Sequence, residues 1–192
     1  MGQLDLFGTA DRVLVDDDTG RIEYFPSAID DATAEAAFAL LVANAPWKAE
    51  RRMMYDREVD VPRLGCSLRP GDAAAYGLAG ALHIVETLAQ TRYNSIGANL
   101  YRDGNDSVAP HNDRTNDLLD ERPIALLSLG SVRRMTIRGK TSPRRAFDLD
   151  LEPGSVLVMS YSSQFHYDHG IPKVPFAHPR ISLAFRVRLK AR

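Results

Sequence analysis

From residue 95 onward the chain is cut into short apolar or alternating runs, each closed by a turn signal before a helix could complete three turns. The runs are 95–102, 123–129, 133–138, 147–151, 155–160 and 181–190, with 169–173 a weaker seventh. The breaks carry Asp103-Gly104, Gly130-Ser131, Gly139-Lys140, Pro153-Gly154 and Gly170, residues that supply positive φ or a preset φ to a turn. A series of this kind closes up as antiparallel sheets rather than as a bundle or a parallel α/β layer.

The first half reads differently. Residues 1–25 are acidic and show no sustained period, which predicts an arm ahead of a single domain over 26–192. Asp30 or Asp31 can cap a helix running to about Asn44, with Ala34, Phe38 and Leu41 on one stripe. A loop-rich stretch with Pro46, Pro62, Gly65, Pro70 and Gly71 follows. A second helix is predicted over 72–91, placing Leu78, Leu82, Val85 and Leu88 on one face. Helices followed by many short strands predict an α+β domain, a sandwich or jelly roll with the N-terminal helices packed on one side. A chain of 192 residues buries enough surface to do this without metal or disulfides. The lone cysteine, Cys66, excludes an internal disulfide and suits a reducing compartment. With no long apolar run and no basic leader at Met1–Asp5, the expected location is cytoplasmic.

Net charge is −1, but it is unevenly spread: residues 1–130 carry 12 Lys+Arg against 21 Asp+Glu, and residues 131–192 carry 12 against 4. Arginine supplies 20 of the 24 positive charges, and guanidinium is the donor suited to carboxylates and phosphates. The Arg-rich C-terminal third is compatible with an anionic partner or, more plainly, with a solvated charged face.

Within 109–114, His111 and Asp113 stand two apart, so in extended backbone both point the same way and can share one cation. A third ligand is available in His169, with 55 residues between it and Asp113. Two imidazoles and a carboxylate on one face of an octahedron leave three positions open, the arrangement of non-haem Fe(II) oxygenases. His166 lies an odd number of residues from His169, so on one strand only one of the two faces the metal. The terminal run 180–188 alternates Ile181, Leu183, Phe185 and Val187 against Arg180, Ser182, Ala184, Arg186 and Arg188. An ordinary half-exposed strand reads this way. If the polar face instead looks inward, Arg180 and Arg186 require an anion, and a metal-chelating dicarboxylate supplies one. Asn99 and Tyr101, two apart on the preceding strand, can add neutral hydrogen bonds.

The ordered set Asn99-Leu100-Tyr101-Arg102-Asp103-Gly104, His111-Asn112-Asp113, 124–130, His169 and Arg180-Ile181-Ser182-Leu183-Ala184-Phe185-Arg186 resembles the AlkB family, and Val61-Pro62-Arg63 matches a segment of its animal DNA-repair branch. The resemblance covers about residues 60–190 and implies a double-stranded β-helix, a jelly-roll variant. It implies iron ligation by His111, Asp113 and His169, and 2-oxoglutarate contacts from Asn99, Tyr101, Arg180, Ser182 and Arg186, with Arg180 at the distal carboxylate. It implies Fe(II), 2-oxoglutarate and O2 as cofactor and co-substrates, and N-alkylated bases of DNA, or of RNA, as substrate. The products would be formaldehyde, succinate and CO2, from a chain acting as a monomer. A base must then leave the duplex. Tyr76 or Trp47 is expected to stack on it, and Thr115 stands where the family usually has an acidic residue that reads it. The stretch 139–145, with Arg133, Arg134 and Arg138, is a candidate for phosphate contacts. Two other readings stay open: an oxygenase of the same chemistry acting on protein or a small molecule, and a non-catalytic binding module on the same scaffold.

Overall fold

The computed structural model describes residues 11–54, 57–142 and 144–190. Twelve strands and three α-helices are assigned among them. The strands are β1 (Arg12–Asp17), β2 (Gly20–Phe25), β3 (Lys48–Met54), β4 (Arg57–Leu68), β5 (Ser95–Tyr101), β6 (Val108–His111), β7 (Ile124–Gly130), β8 (Arg133–Gly139), β9 (Ala146–Leu151), β10 (Val156–Met159), β11 (Tyr167–Ile171) and β12 (Arg180–Arg186). The helices are α1 (Asp31–Asn44), α2 (Ala79–Leu88) and the single turn α3 (Ser163–His166).

The strands form an eight-stranded sheet, β1-β2-β10-β7-β12-β5-β4-β3, and a four-stranded sheet, β6-β11-β8-β9. Every pairing is antiparallel. The protein is an α+β jelly roll with its N-terminal helices α1 and α2 on one side of the large sheet and the single turn α3 beside β11. The large sheet is buried on both faces, and its central strands show why. In β7, Ala125, Leu127 and Leu129 join the core beneath the helices, while Ile124 and Leu126 join the core between the sheets. In β12, Ile181, Leu183 and Phe185 face the helices, and Arg180, Ser182 and Ala184 occupy the alternate positions, all of them buried. The polar face of the last strand is therefore not solvated.

α1 starts where its cap predicts: Asp30 accepts a hydrogen bond from the Thr33 amide at 2.9 Å. Three stretches differ from the sequence reading. Residues 12–25, expected as an irregular arm, form a β1–β2 hairpin that extends the large sheet through β10. Val15, Ile22 and Tyr24 are the buried side chains that hold it, too few to show as a period among the acidic residues around them. The helix expected over 72–91 is broken: a 3-10 turn over Pro70–Tyr76 ends at Gly77, whose φ of 69° turns the chain left-handed before α2 begins. The loop-rich stretch after Pro46 contains β3 and β4, paired with a register shift between Ala49 and Arg51 that absorbs the turn-forming residues.

Candidate functional site

The two sheets place the three candidate ligands side by side. His111 ends β6 and His169 lies directly opposite it on β11. Their rings are 4.6 Å apart between centroids and tilted by 49°. Gly170 permits this approach, because a Cβ there would lie 2.9 Å from the Val108 carbonyl oxygen and 3.0 Å from the Pro110 nitrogen. His111 Nδ1 stands 2.9 Å from the Ala109 carbonyl. A carbonyl only accepts, so Nδ1 carries the proton and Nε2 keeps its lone pair. His169 is buried, and burial, then the neighbouring His111, pushes its pKa down to about 4. It is a neutral imidazole at neutral pH, the form that binds metals.

Asp113 follows two residues after His111 and is also buried. Burial alone would raise its pKa, but Arg186 and the two imidazoles outweigh that and hold it below the ordinary value. Arg186 Nη2 donates to Asp113 Oδ1 at 2.6 Å, while Oδ2 is buried with no hydrogen-bond partner. Among the described residues no three His, Cys, Asp or Glu side chains already stand as a closed metal cluster. The two imidazoles and the carboxylate are neighbours, with the carboxylate turned toward the cation the chain itself supplies. Two neutral imidazole nitrogens and a half-satisfied buried carboxylate nonetheless make a donor set that suits a ferrous ion.

Arg180, at the start of β12, is fully buried. Its Nη2 donates to Ser128 Oγ at 2.9 Å, its guanidinium lies 5.3 Å from the Tyr101 ring centroid and within reach of that side chain, and among the described residues no acid meets Nε or Nη1. Burial pulls its pKa down to about 10. A guanidinium in this position is stable only with an anion, and a carboxylate is the shape its fork matches. Tyr101 and Asn99 pair in register with Arg180 and Ser182, so the candidate 2-oxoglutarate contacts form one patch on adjacent strands. Arg63 Nε donates to Asn99 Oδ1 at 2.9 Å, which gives the Val61-Pro62-Arg63 segment a place at the same patch.

The sequence matches the 2OG-Fe(II) oxygenase superfamily over residues 73–186, a span containing all three candidate ligands and both arginines. The chain belongs to the 2OG-Fe(II) oxygenase superfamily. Its sequence relatives within that superfamily are AlkB proteins. Alpha-ketoglutarate-dependent dioxygenase alkB homolog 3 of Bos taurus is 28% identical over 187 residues, covering 86% of this chain and 65% of the relative. The Homo sapiens protein of the same name is 27% identical with the same coverage. DNA oxidative demethylase ALKBH2 of Mus musculus is 34% identical over 111 residues, 54% of this chain and 46% of that protein. The chain thus spans 65% of the length of the alkB homolog 3 proteins. Among solved structures, OsALKBH1 superposes with a TM-score of 0.62 at 14% identity, covering 92% of this chain and 100% of the other, which shows a shared fold.

Not every residue expected at the oxygenase site is there. Tyr76 and Trp47 pack against the core beneath the helices, across the large sheet from the histidines, and Trp47 donates its indole N–H to the Leu41 carbonyl at 3.0 Å. One or the other was expected to stack on a base; both are instead half-buried against the core beneath the helices. Thr115 lies in the turn after Asp113 and hydrogen-bonds Tyr161, which also meets Asp120. The basic stretch is largely neutralised. Arg133 is buried and donates to three backbone carbonyls, of Asp103, Asp106 and Pro172. Arg134 pairs with Asp150, Arg138 with Asp148 and Arg145 with Asp17. A phosphate role for these four arginines would have to displace existing partners.

Sequence reasoning missed four residues that border the site. Tyr161 and Phe165 stack edge-on with centroids 5.4 Å apart, and Phe165 is 54% exposed. Gln164 and Lys140 hydrogen-bond residues of the His111–Asp113 segment. The only signal in the sequence was an aromatic just before α3 and another within it, which carries no period.

Proposed function

We propose that this chain is an Fe(II)- and 2-oxoglutarate-dependent dioxygenase that removes alkyl groups oxidatively from N-alkylated nucleic acid bases, with DNA favoured over RNA. His111, Asp113 and His169 would hold the ferrous ion, and Arg180, Tyr101, Ser182 and Asn99 would hold 2-oxoglutarate. Bound together, iron and 2-oxoglutarate supply the oxidation of the N-alkyl carbon by O2, with succinate, CO2 and formaldehyde as products for a methyl group. The chain's own residues do the positioning. Arg180 anchors the far carboxylate of the co-substrate in a site closed to water. Arg186 keeps Asp113 ionised and fixed. His111 is locked in one tautomer by the Ala109 carbonyl. The exposed aromatic surface beside this centre is Phe165 with Tyr161, and we assign base stacking there rather than to Tyr76 or Trp47.

The observation that carries this reading is Arg180: a fully buried guanidinium whose Nε and Nη1 no acid meets among the described residues, on the strand that also carries Arg186 to Asp113. The relatives' names, a dioxygenase dependent on alpha-ketoglutarate and a DNA oxidative demethylase, support the substrate class. The test is incubation of iron-loaded protein with oligonucleotides carrying N1-methyladenine or N3-methylcytosine, as DNA and as RNA, with mass spectrometry of the base and quantitation of succinate. Restored bases with matching succinate are expected. Succinate without restored bases would move the activity to a protein or small molecule, and no succinate with any substrate would make the chain a binding module.

A further inference from the structure

The ladder between β6 and β11 ends at His111, so Asp113 lies just past the last strand pair. Its buried backbone N–H nevertheless has a partner: the Gln164 side chain, whose Oε1 accepts it at 2.9 Å across 51 residues of sequence. Gln164 is 1% exposed, and its amide nitrogen meets its own neighbour, Ser163 Oγ, at 3.4 Å. Its backbone carbonyl accepts from Lys140 Nζ at 2.9 Å. The same ammonium donates to Asn112 Oδ1 at 2.9 Å and lies 3.4 Å from the Asp168 carboxylate. Asn112 separates His111 from Asp113, and Asp168 precedes His169. One buried amide and one lysine therefore touch the neighbours of all three candidate ligands without belonging to the set.

We propose that Gln164, backed by Lys140, is the positioning residue that sets the Asp113 carboxylate for the metal. The proposal rests on the metal-site reading above. With its N–H held by Gln164 and its Oδ1 held by Arg186, Asp113 is fixed at both ends of its side chain. Its Oδ2 remains directed by those two contacts alone. Taking away the acceptor leaves a buried N–H unsatisfied, and the segment must shift to find water or another oxygen. Groups that orient metal ligands in this way cost about 10- to 100-fold in metal affinity when removed.

Three measurements on the whole chain test this. Gln164→Met keeps the side-chain length but has no acceptor, and Gln164→Glu keeps the acceptor. Amide hydrogen exchange over residues 112–114 is followed in metal-free protein, and Co(II) is titrated with its absorption spectrum recorded. Gln164→Met should speed exchange at Asp113, weaken Co(II) binding by about 10- to 100-fold and change the visible spectrum. Gln164→Glu should restore slow exchange and the wild-type spectrum. Wild-type exchange, affinity and spectrum in Gln164→Met would overturn the proposal. If wild-type protein binds Co(II) no better than His111→Ala does, the metal reading fails instead, and the exchange result still decides whether Gln164 holds Asp113. Should Gln164→Met not fold, Lys140→Met, at a half-exposed position, takes its place. It should weaken Co(II) several-fold and shift its spectrum, and an unchanged titration and spectrum would count against the proposal.

Discussion

Arg180 is costly to keep, and that cost can be measured. Its guanidinium is fully buried, and burial pulls its pKa well below the ordinary arginine value, down to about 10. At about 1.36 kcal/mol per pH unit, the displacement corresponds to roughly 3 kcal/mol spent holding the charge in the folded chain without its anion. The folded pKa is the depressed one, so this cost is present in full at every pH below 10. Arg180→Met removes the charge, keeps most of the length and loses the bond to Ser128 Oγ. Metal-loaded protein without 2-oxoglutarate should therefore become more stable by about 1–3 kcal/mol, a rise in melting temperature of about 2–12 °C for a chain of this size. Adding 2-oxoglutarate at 100 times its Kd should stabilise wild type by about 2.7 kcal/mol and leave Arg180→Met unmoved. The assay is thermal and urea unfolding under nitrogen with Mn(II), with and without 2-oxoglutarate. A variant that is several kcal/mol less stable than wild type, yet still stabilised by 2-oxoglutarate, would refute the argument.

Gly170→Ala should destabilise the fold by about 1–3 kcal/mol and abolish Co(II) binding, since its methyl group must push β6 away from β11; unfolding midpoints and the Co(II) titration report both. Tyr76→Leu should leave affinity for methylated oligonucleotides unchanged, and Phe165→Ala should weaken it by about 1–3 kcal/mol in a fluorescence titration. Asp106 accepts two hydrogen bonds from the Arg102 side chain and one from its backbone; burial raises its pKa, but those bonds and the charge of Arg102 lower it further. A depressed carboxylate stabilises above its unfolded pKa and loses that contribution as pH falls through the folded value. Asp106→Asn should accordingly show a flatter loss of stability than wild type in urea titrations as pH falls below the ordinary carboxylate range. Cys66 has its thiol pKa pushed up to about 11 by burial, so at pH 8 it should react with iodoacetamide about two orders of magnitude more slowly than a free thiol.

The fold was legible where one face of an element meets one environment. α1 had a cap and a stripe, and β5, β7, β8, β9 and β12 began and ended within two or three residues of their turn signals, except that 181–190 overran the end of β12. What escaped was structure held by few contacts. The β1–β2 hairpin buries three apolar side chains amid acidic ones, and β4 carries Pro62 at its register shift against the edge strand β3, where a missing or shifted ladder bond is cheap. The helix over 72–91 broke because a period counts apolar side chains and does not register that Gly77 can leave helical φ at no steric cost.

The site divides along the same line, and the division has a physical cause. His169, Arg180 and Arg186 are charged or titratable residues on strands that otherwise bury apolar atoms, and His111 and Asp113 stand two apart where a strand gives way to a turn, so each one stands out by sequence alone. The aromatics do not contradict anything. Tyr76, Trp47, Tyr161 and Phe165 are equally plausible beside a core or beside a ligand, and only the layer each occupies separates the first two from the last two. Gln164 is harder still, because its partner is a backbone N–H, and every residue but proline has one. The charge split has a related weakness: it counts the arginines of β8 and the aspartates of β9 together but not their pairing, in which Asp150 faces Arg134 across the ladder and Asp148 reaches Arg138 diagonally. A charge predicts a surface only after its cross-strand neighbour is known. At Arg180 those neighbours are Tyr101 and Gly130, so among the described residues no acid faces the guanidinium across the ladder, and this is why we propose that the co-substrate supplies its counter-charge.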